Sequence, residues 1–427
     1  MKTFRTDIKE MRSYLQLWFT QTVSGLGSAM TAYALVIWSY TQAGSALRTA
    51  LLMVCSYAPY VICSIFAGAL SDRWDKKKTM LVCDALAAFS TLIVLLLLKN
   101  DALRIWHLYI VNALSGLMNT FQQPASEVAT SALLKREYYQ KVGGLRYLSN
   151  SLNSILTPII TTAIMGLWGI GAVIAIDLCS FFAAFLVLLF FIPIPKTESR
   201  KHREPVLQSA AEGVRWLKAN PGIFHLMLFL AGINLVASMF NAALPAMILS
   251  KASETALGTV NAVTGITMLV GSILASFLPT PKSRVKAIWY CLLLSMCTEN
   301  FFLAFGNSVL AWCFGAFLGW IALPWMSANL EAVNRLNIPL EIQGRVYAAR
   351  NSFQFFTIPV GYFLGGILVD EVLEPVMALQ PENSLPVRLF GSGKGSGAAL
   401  LFAILWGMGI VVWLLLRGDK QIRMLEE

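Results

Sequence analysis

Charge is what this chain has least of. Asp, Glu, Lys and Arg make up 13% of its 427 residues, about half the share of a soluble domain. Histidine occurs only as His107, His202 and His225, far apart. No His or Cys pair has metal-site spacing, and G-x-S-x-G, H-E-x-x-H and phosphate-cradling loops are missing. Those absences argue against an enzyme and an ATP-driven pump, and no cofactor or metal is expected. A large soluble domain is missing too, which argues against a signalling receptor. The seven cysteines (Cys55, Cys63, Cys83, Cys179, Cys291, Cys297, Cys313) all fall in apolar runs. They read as small buried hydrophobes, not as a disulfide framework.

What the chain has is apolar length. Hydrophobic residues reach 57% and mean hydropathy is +0.64, more apolar surface than a water-soluble fold could hide. The class is an all-α membrane protein. Stretches long enough to cross a bilayer fall at 14–40, 46–70, 79–98, 105–133, 142–168, 170–192, 221–248, 256–278, 286–305, 309–333, 344–369 and 398–416. The charged N-terminal stretch leads into a long, partly polar span, so a removable leader is not expected. With both termini inside, the inner segments hold 27 of the 33 Lys and Arg and the outer segments 6. That asymmetry orients the chain with both termini cytoplasmic. It also accounts for the net charge of +10 without any nucleic acid.

The spans divide around a charged, Pro-punctuated link at 193–219, whose second half, Glu212 to Lys218, has the pattern of a surface-lying amphipathic helix. The expected organisation is a six-helix bundle over 1–192, the cytoplasmic link 193–219 and a second bundle over 220–427. A repeat supports it. Gly143, Asn150, Ser151 and Pro158 match Gly344, Asn351, Ser352 and Pro359 at an offset of 201 residues, and Pro124 matches Pro324 at 200. Parallel six-span repeats are the plan of one large transporter fold. The outer segment 371–397, with Pro375, Pro381, Pro386 and GSGKGSG, reads as a flexible loop.

Between the second and third spans stands Gly68-Ala-Leu-Ser-Asp72-Arg73-Trp-Asp-Lys76-Lys77-Lys78. It resembles the G-x-L-x-D-R-x-x-[RK]-[RK] loop of the major facilitator superfamily. Gly44-Ser45-Ala46, Asp84, Pro124-Ala125, Ile174-Ala175-Ile176-Asp177 and Gly344-Arg345-Val346 resemble the bacterial macrolide-efflux branch of its drug:proton antiporters. The chain departs from relatives at Ser115 and Met118, where many carry an Arg setting, and at Glu127, where the branch carries a neutral residue. The resemblance implies twelve transmembrane helices in two pseudo-symmetric six-helix bundles, in a bacterial cell membrane. It implies a monomeric, proton-coupled exporter of amphipathic small molecules such as macrolide-like drugs. A transporter of a dedicated lipid, siderophore or metabolite with the same fold is the alternative. It further implies a conformational switch in which Gly68, Asp72 and Arg73 meet Gly344 and Arg345 at the start of the eleventh span.

Ionisable residues inside a membrane are costly and usually functional. The resemblance places spans 1, 4, 7 and 10 at a cavity, with 5 and 11 beside them. Glu127, Arg146, Glu331 and Arg350 then face that cavity, either as neutralised acid–base pairs or as solvated groups at its cytoplasmic mouth. A carboxylate freed from its pair could take up a proton. Asp84, Asp177 and Glu299, on outer spans, read as bonds between helices, with Asp177 also a protonation candidate. Substrate contacts are expected from Gln21, Ser24, Asn112, Asn119, Gln122, Asn234, Asn241, Trp320 and Trp325, with Phe121 and Met239 adding apolar surface. Few fixed charges and many apolar and amide groups suit varied amphipathic ligands.

Overall fold

The computed structural model describes residues 11–133, 139–194, 214–338 and 343–426; the side chains of 64–73, 127, 131–132, 139–144, 147, 276, 335, 343–345, 347–354, 415–416, 418 and 426 fall outside that description. The secondary structure described is helical throughout. A helix suits a bilayer, because it satisfies its backbone polar groups within the spanning segment.

In the first half the helices are α1 (Arg12–Ala43), α2 (Ala46–Arg73), α3 (Lys76–Lys99), α4 (Ile105–Leu133), α5 (Tyr139–Trp168) and α6 (Ile170–Phe191). The second half holds α7 (Pro221–Lys251), α8 (Glu254–Phe277), α9 (Arg284–Phe305), α10 (Val309–Trp320), α11 (Leu323–Asn337) and α12 (Gln343–Ile367). A wider π turn over Leu368–Leu373 continues α12, followed by α13 (Glu374–Ala378), α14 (Leu385–Phe390), α15 (Ser396–Gly418) and α16 (Lys420–Arg423). Side-chain caps start several of them. Asp75 accepts from the Lys78 amide at α3, and Ser253, Ser283 and Ser308 do the same for α8, α9 and α10. Lys77 closes a C-terminus: its Nζ donates to the carbonyls of Leu189 and Ile192 at the end of α6, 3.0 and 2.8 Å away.

Two expectations change. The tenth span, one apolar segment over Val309–Asn334, carries a break in its helical hydrogen bonding. The break falls between α10 and α11, where Pro324 follows Trp320 by four residues and has no N–H to donate to its carbonyl. Pro124, its repeat partner, stays inside α4. The outer segment 371–397 is folded rather than a loose loop. Lys251 Nζ donates to the Phe390 carbonyl at 2.6 Å, and the Gly395 amide donates to Glu374 Oε1 at 2.8 Å. Gly391 and Gly395, at φ +82° and +92°, make the turns between.

The chain forms two compact units. The first holds Met1–Trp38 and Cys55–Val206; the second holds Ser39–Val54 and Leu207–Glu427. In the first, Leu17, Met80, Ala125, Leu188 and Ile192 form a core at the ends of α1, α3, α4 and α6. In the second, Leu226, Val285, Ile288, Trp289 and Val333 do so around α7, α9 and α11. Residues 214–219 are helical, and Leu217 packs against Ile223, Met227, Ile338 and Val346.

Candidate functional site

Among the described residues ten segments are long and apolar enough to cross a membrane; α1 and α4 are not among them. Their polarity is concentrated on one face of each. On α1 that face carries Gln21, Ser24, Ser28 and Thr31; on α4 it carries Asn112, Ser115, Asn119 and Gln122. Spacings of three and four residues stack these side chains in single rows. Both rows line one cavity of about 920 Å³ inside the first unit, together with parts of α3, α5 and α6. Leu17, Leu35, Val94, Val111 and Phe181 add apolar wall.

Two carboxylates enter this cavity. Asp84, on α3, accepts from Gln122 Nε2 of α4 at 2.5 Å, and Gln21 of α1 stands against the same group. Asp177, on α6, is 4% exposed and accepts from Ser28 Oγ of α1 at 3.1 Å. Thr31 lies beside it. Gly27 permits that approach: a Cβ there would come within 3.0 Å of Asp177 Oδ1 and 2.6 Å of Ser180 Oγ. Arg146 of α5 is the cation on the same wall, and its charge acts on Tyr14. The α1–α5 seam is held by Trp18 Nε1 donating to the Leu145 carbonyl at 3.0 Å and by a 2.7 Å bond between the Thr22 and Ser149 hydroxyls. Neutral donors thus hold both acids, an arrangement that keeps a carboxylate tolerable in a low-dielectric place while leaving it able to exchange a proton or cation.

Gln21, Ser24, Asn112, Asn119, Gln122, Arg146 and Asp177 therefore come together. Asp84, Ser28, Thr31 and Asn153 join them although their sequence positions did not place them at a cavity. Only the i, i+7 relation of Asp84 to the cavity residue Thr91 on α3 hints at it. In the second unit the candidates lie on α7, α10 and α11. Trp320 donates from Nε1 to Glu299 at 2.6 Å, and Glu299 is 5% exposed on α9. Asn234 is half-buried on α7, Asn241 is exposed there, Trp325 is half-buried on α11 with its carbonyl accepting from Asn329, and Glu331 is half-buried two turns further on. The side chains of Gly68, Asp72, Arg73, Glu127, Gly344, Arg345 and Arg350 lie outside the described residues.

Comparison with known proteins agrees with this architecture. Macrolide efflux protein A of Streptococcus pyogenes is 24% identical over 84% of this chain and 90% of its own length. The enterobactin exporter EntS of Shigella boydii is 28% identical, over 42% of each chain. Among solved structures, the nucleoside transporter NupG superposes with a TM-score of 0.68 at 11% identity, covering 96% of this chain and 100% of that one. The sequence profile of the Major Facilitator Superfamily matches residues 17–246, more than half of the chain, and the chain belongs to that superfamily.

Proposed function

We propose that this protein is a proton-coupled exporter of amphipathic small molecules, macrolide-like drugs among them, working by alternating access. The observation that carries this reading is the cavity of the first unit. It joins two neutrally held carboxylates to a wall of amide, hydroxyl, aliphatic and aromatic groups. The mixed wall suits a ligand with both apolar bulk and hydrogen-bonding groups. Each acid can trade its protein donor for a proton, which is the elementary step of proton coupling in a membrane. Asp84 and Asp177 are the groups to carry it, with Arg146 as the fixed counter-charge.

The likeness to macrolide efflux protein A over most of both chains supports the drug-export reading. The more local likeness to EntS supports the second, a dedicated exporter of a siderophore-sized solute. The split of 27 inner and 6 outer basic residues supports cytoplasmic termini and a cytoplasmic link at 193–219 between six-helix halves. The Gly68 to Lys78 motif supports a cytoplasmic switch with Gly344 and Arg345. Export by a monomer in a bacterial membrane completes the proposal.

The test is flux in sealed, inverted vesicles carrying the protein. A hydrophobic dye or a macrolide should accumulate when a proton gradient is imposed, and dissipating the gradient should stop it. Accumulation that survives a collapsed gradient with ATP present would end the coupling claim. Accumulation of a siderophore, with no response to dyes or macrolides, would favour the second reading.

A further inference from the structure

We propose that Arg417 and Arg423, each laid over an indole ring, form a binding site for the phosphate headgroup of an anionic phospholipid at one membrane boundary of the second unit. The site starts from where the chain puts its cations. The apolar span of α15 gives out at Leu414, and that of α9 begins at Arg284. The two helices pack side by side. Gly409 lets them close, since a Cβ there would come within 3.0 Å of the Met296 Cβ. At this end of the pair the chain carries Arg284, Lys286, Arg417, Lys420 and Arg423. The turn α16 is fastened so as to bring the last two there. Asp419 bonds His225 at 2.8 Å, and Ile422 is buried in one cluster with Leu226, Ile288 and Trp289. Gly222 leaves room for the turn, because a Cβ would meet the Gln421 carbonyl at 2.7 Å.

The first observation is the setting of the two arginines. Arg417 lies over the Trp413 ring, 5.4 Å from its centre, and Arg423 over the Trp289 ring at 5.8 Å. Arg423 also donates to the Arg417 carbonyl at the end of α15. Stacking and that one bond fix the guanidiniums in place and leave most of their N–H donors unused. Among the described residues no carboxylate pairs with either arginine. The chain has no acid from 279 to 298, and only Asp419 from 399 to 425. Asp419 is taken up by His225 and two amides. A counter-charge from outside the chain is what this end lacks.

The second observation is independent. The Nε1 groups of Trp289 and Trp413 are both buried with no acceptor, and Trp289 is 5% exposed. A tryptophan of the ordinary interfacial belt turns its N–H to the headgroup layer and needs no fixed partner. These two pack in one apolar cluster instead. Buried donors without acceptors are rare and mark a place where a partner is needed. Unused donors and uncompensated cations at one place call for the same thing, an acceptor-rich anion, and phosphate matches the planar guanidinium fork. Tyr290 and Leu294 on α9 and Val411 and Leu414 on α15 are exposed, an apolar surface for acyl chains beside the cations. A soluble anion has no use for that surface, which favours a lipid as the source of the phosphate.

Binding is measured on the full-length protein in detergent, without transport substrate or gradient, so its outcome is separate from the transport reading. Thermal unfolding is followed as phosphatidylglycerol, phosphatidylcholine or inorganic phosphate is added at fixed pH and ionic strength. Phosphatidylglycerol should raise the midpoint by a few degrees and continue upward with the logarithm of its concentration once the site fills. Phosphatidylcholine, whose headgroup carries its own cation, should do less, and inorganic phosphate at the same concentration nothing. Arg417→Gln combined with Arg423→Gln should raise the phosphatidylglycerol concentration needed by about tenfold. Trp413→Phe, which keeps a ring and removes the donor, should raise it by about threefold, and it carries the test if the double variant does not fold. Equal responses to the two lipids would overturn the proposal. So would a phosphatidylglycerol response that the arginine variant, or Trp413→Phe in its place, leaves unchanged. A response matched by inorganic phosphate would assign the site to a free anion and overturn the lipid as its ligand.

Discussion

Asp370 holds the start of α2 through Ser45. Its Oδ2 accepts from Ser45 Oγ at 2.5 Å and from the Leu47 amide at 2.8 Å, while Oδ1 accepts from the Ala46 amide at 3.0 Å. The Ser45 hydroxyl in turn accepts from the Arg48 amide. A carboxylate 325 residues away in sequence thus joins the helix's own capping residue in satisfying the first amides of α2, where the helix dipole favours negative charge. Close by in the second unit, the Tyr40 hydroxyl bonds the Ala246 carbonyl and Ser250, so the α1–α2 turn is fastened at two points.

Asp370→Ala should therefore loosen that turn at a cost of about 1–2 kcal/mol. A cysteine placed at the exposed Gln42 should react faster with a membrane-impermeant maleimide in the variant. An unchanged rate would mean that Ser45 alone suffices as the cap.

In the cavity, Gln122→Leu removes the 2.5 Å donor to Asp84 and leaves the acid poorly satisfied, a loss of about 1–3 kcal/mol. Transport should fall several-fold. Asp84→Asn added to Gln122→Leu should recover stability, because it removes the charge, but not transport. Recovery of both would make the pair a packing device only.

Glu299 and Trp320 give a stability prediction away from the cavity. Trp320→Phe removes the 2.6 Å donor to a buried acid and should destabilise the second unit by about 1–3 kcal/mol. Glu299→Gln in the same background should regain part of that, since an amide is easier to bury than a charge. Thermal unfolding of the two variants decides it.

The C-terminal turn should weaken in acid. Asp419 loses some hydration, which alone would raise its pKa. The bonds from His225 at 2.8 Å and from the Ile422 and Gln421 amides outweigh this and hold it below the usual carboxylate range. The stabilisation is fully present above the unfolded value near ~3.9 and is lost as pH falls through the lower folded value. Unfolding of the wild type should show that slope at the acid end, and Asp419→Asn should flatten it.

The switch proposed for the Gly68 to Lys78 motif can be tested at Asp72. Asp72→Asn should leave expression intact, cut transport strongly, and speed cytoplasmic-side labelling of a cysteine near Glu331. A locking energy of about 0.3–2 kcal/mol is enough to shift balanced conformers. Normal export with unchanged labelling would reduce Asp72 to a solvated loop acid.

Much of this molecule is legible in its amino acids, and the residues show where legibility stops. The spans follow from apolar length and from the polar breaks between them. The rows Gln21–Ser24 and Asn112–Asn119–Gln122 are readable as a lining because polar side chains at helical spacing stand out against apolar neighbours. Asp84 and Asp177 are different. Each is the single acid of its helix, set in a run that is apolar nearly all round, so nothing local says which way the helix is turned. That rotation is set by packing: Gly27 lets α6 come close to α1, and Gly116, where a Cβ would strike the Ser56 carbonyl, does the same for α4 against α2. The segment 371–397 looks loose because its composition is poor in apolar residues and rich in Gly and Pro. It folds because Lys251 and Glu374, held on helices, supply the partners its backbone lacks. Composition and periodicity thus determined the class, the spans and the polar faces of α1 and α4, all of which depend on neighbours within a few turns. Which acids share a cavity, and which caps and turns are closed from afar, depends on contacts between residues far apart along the chain, and only the tertiary packing could decide those.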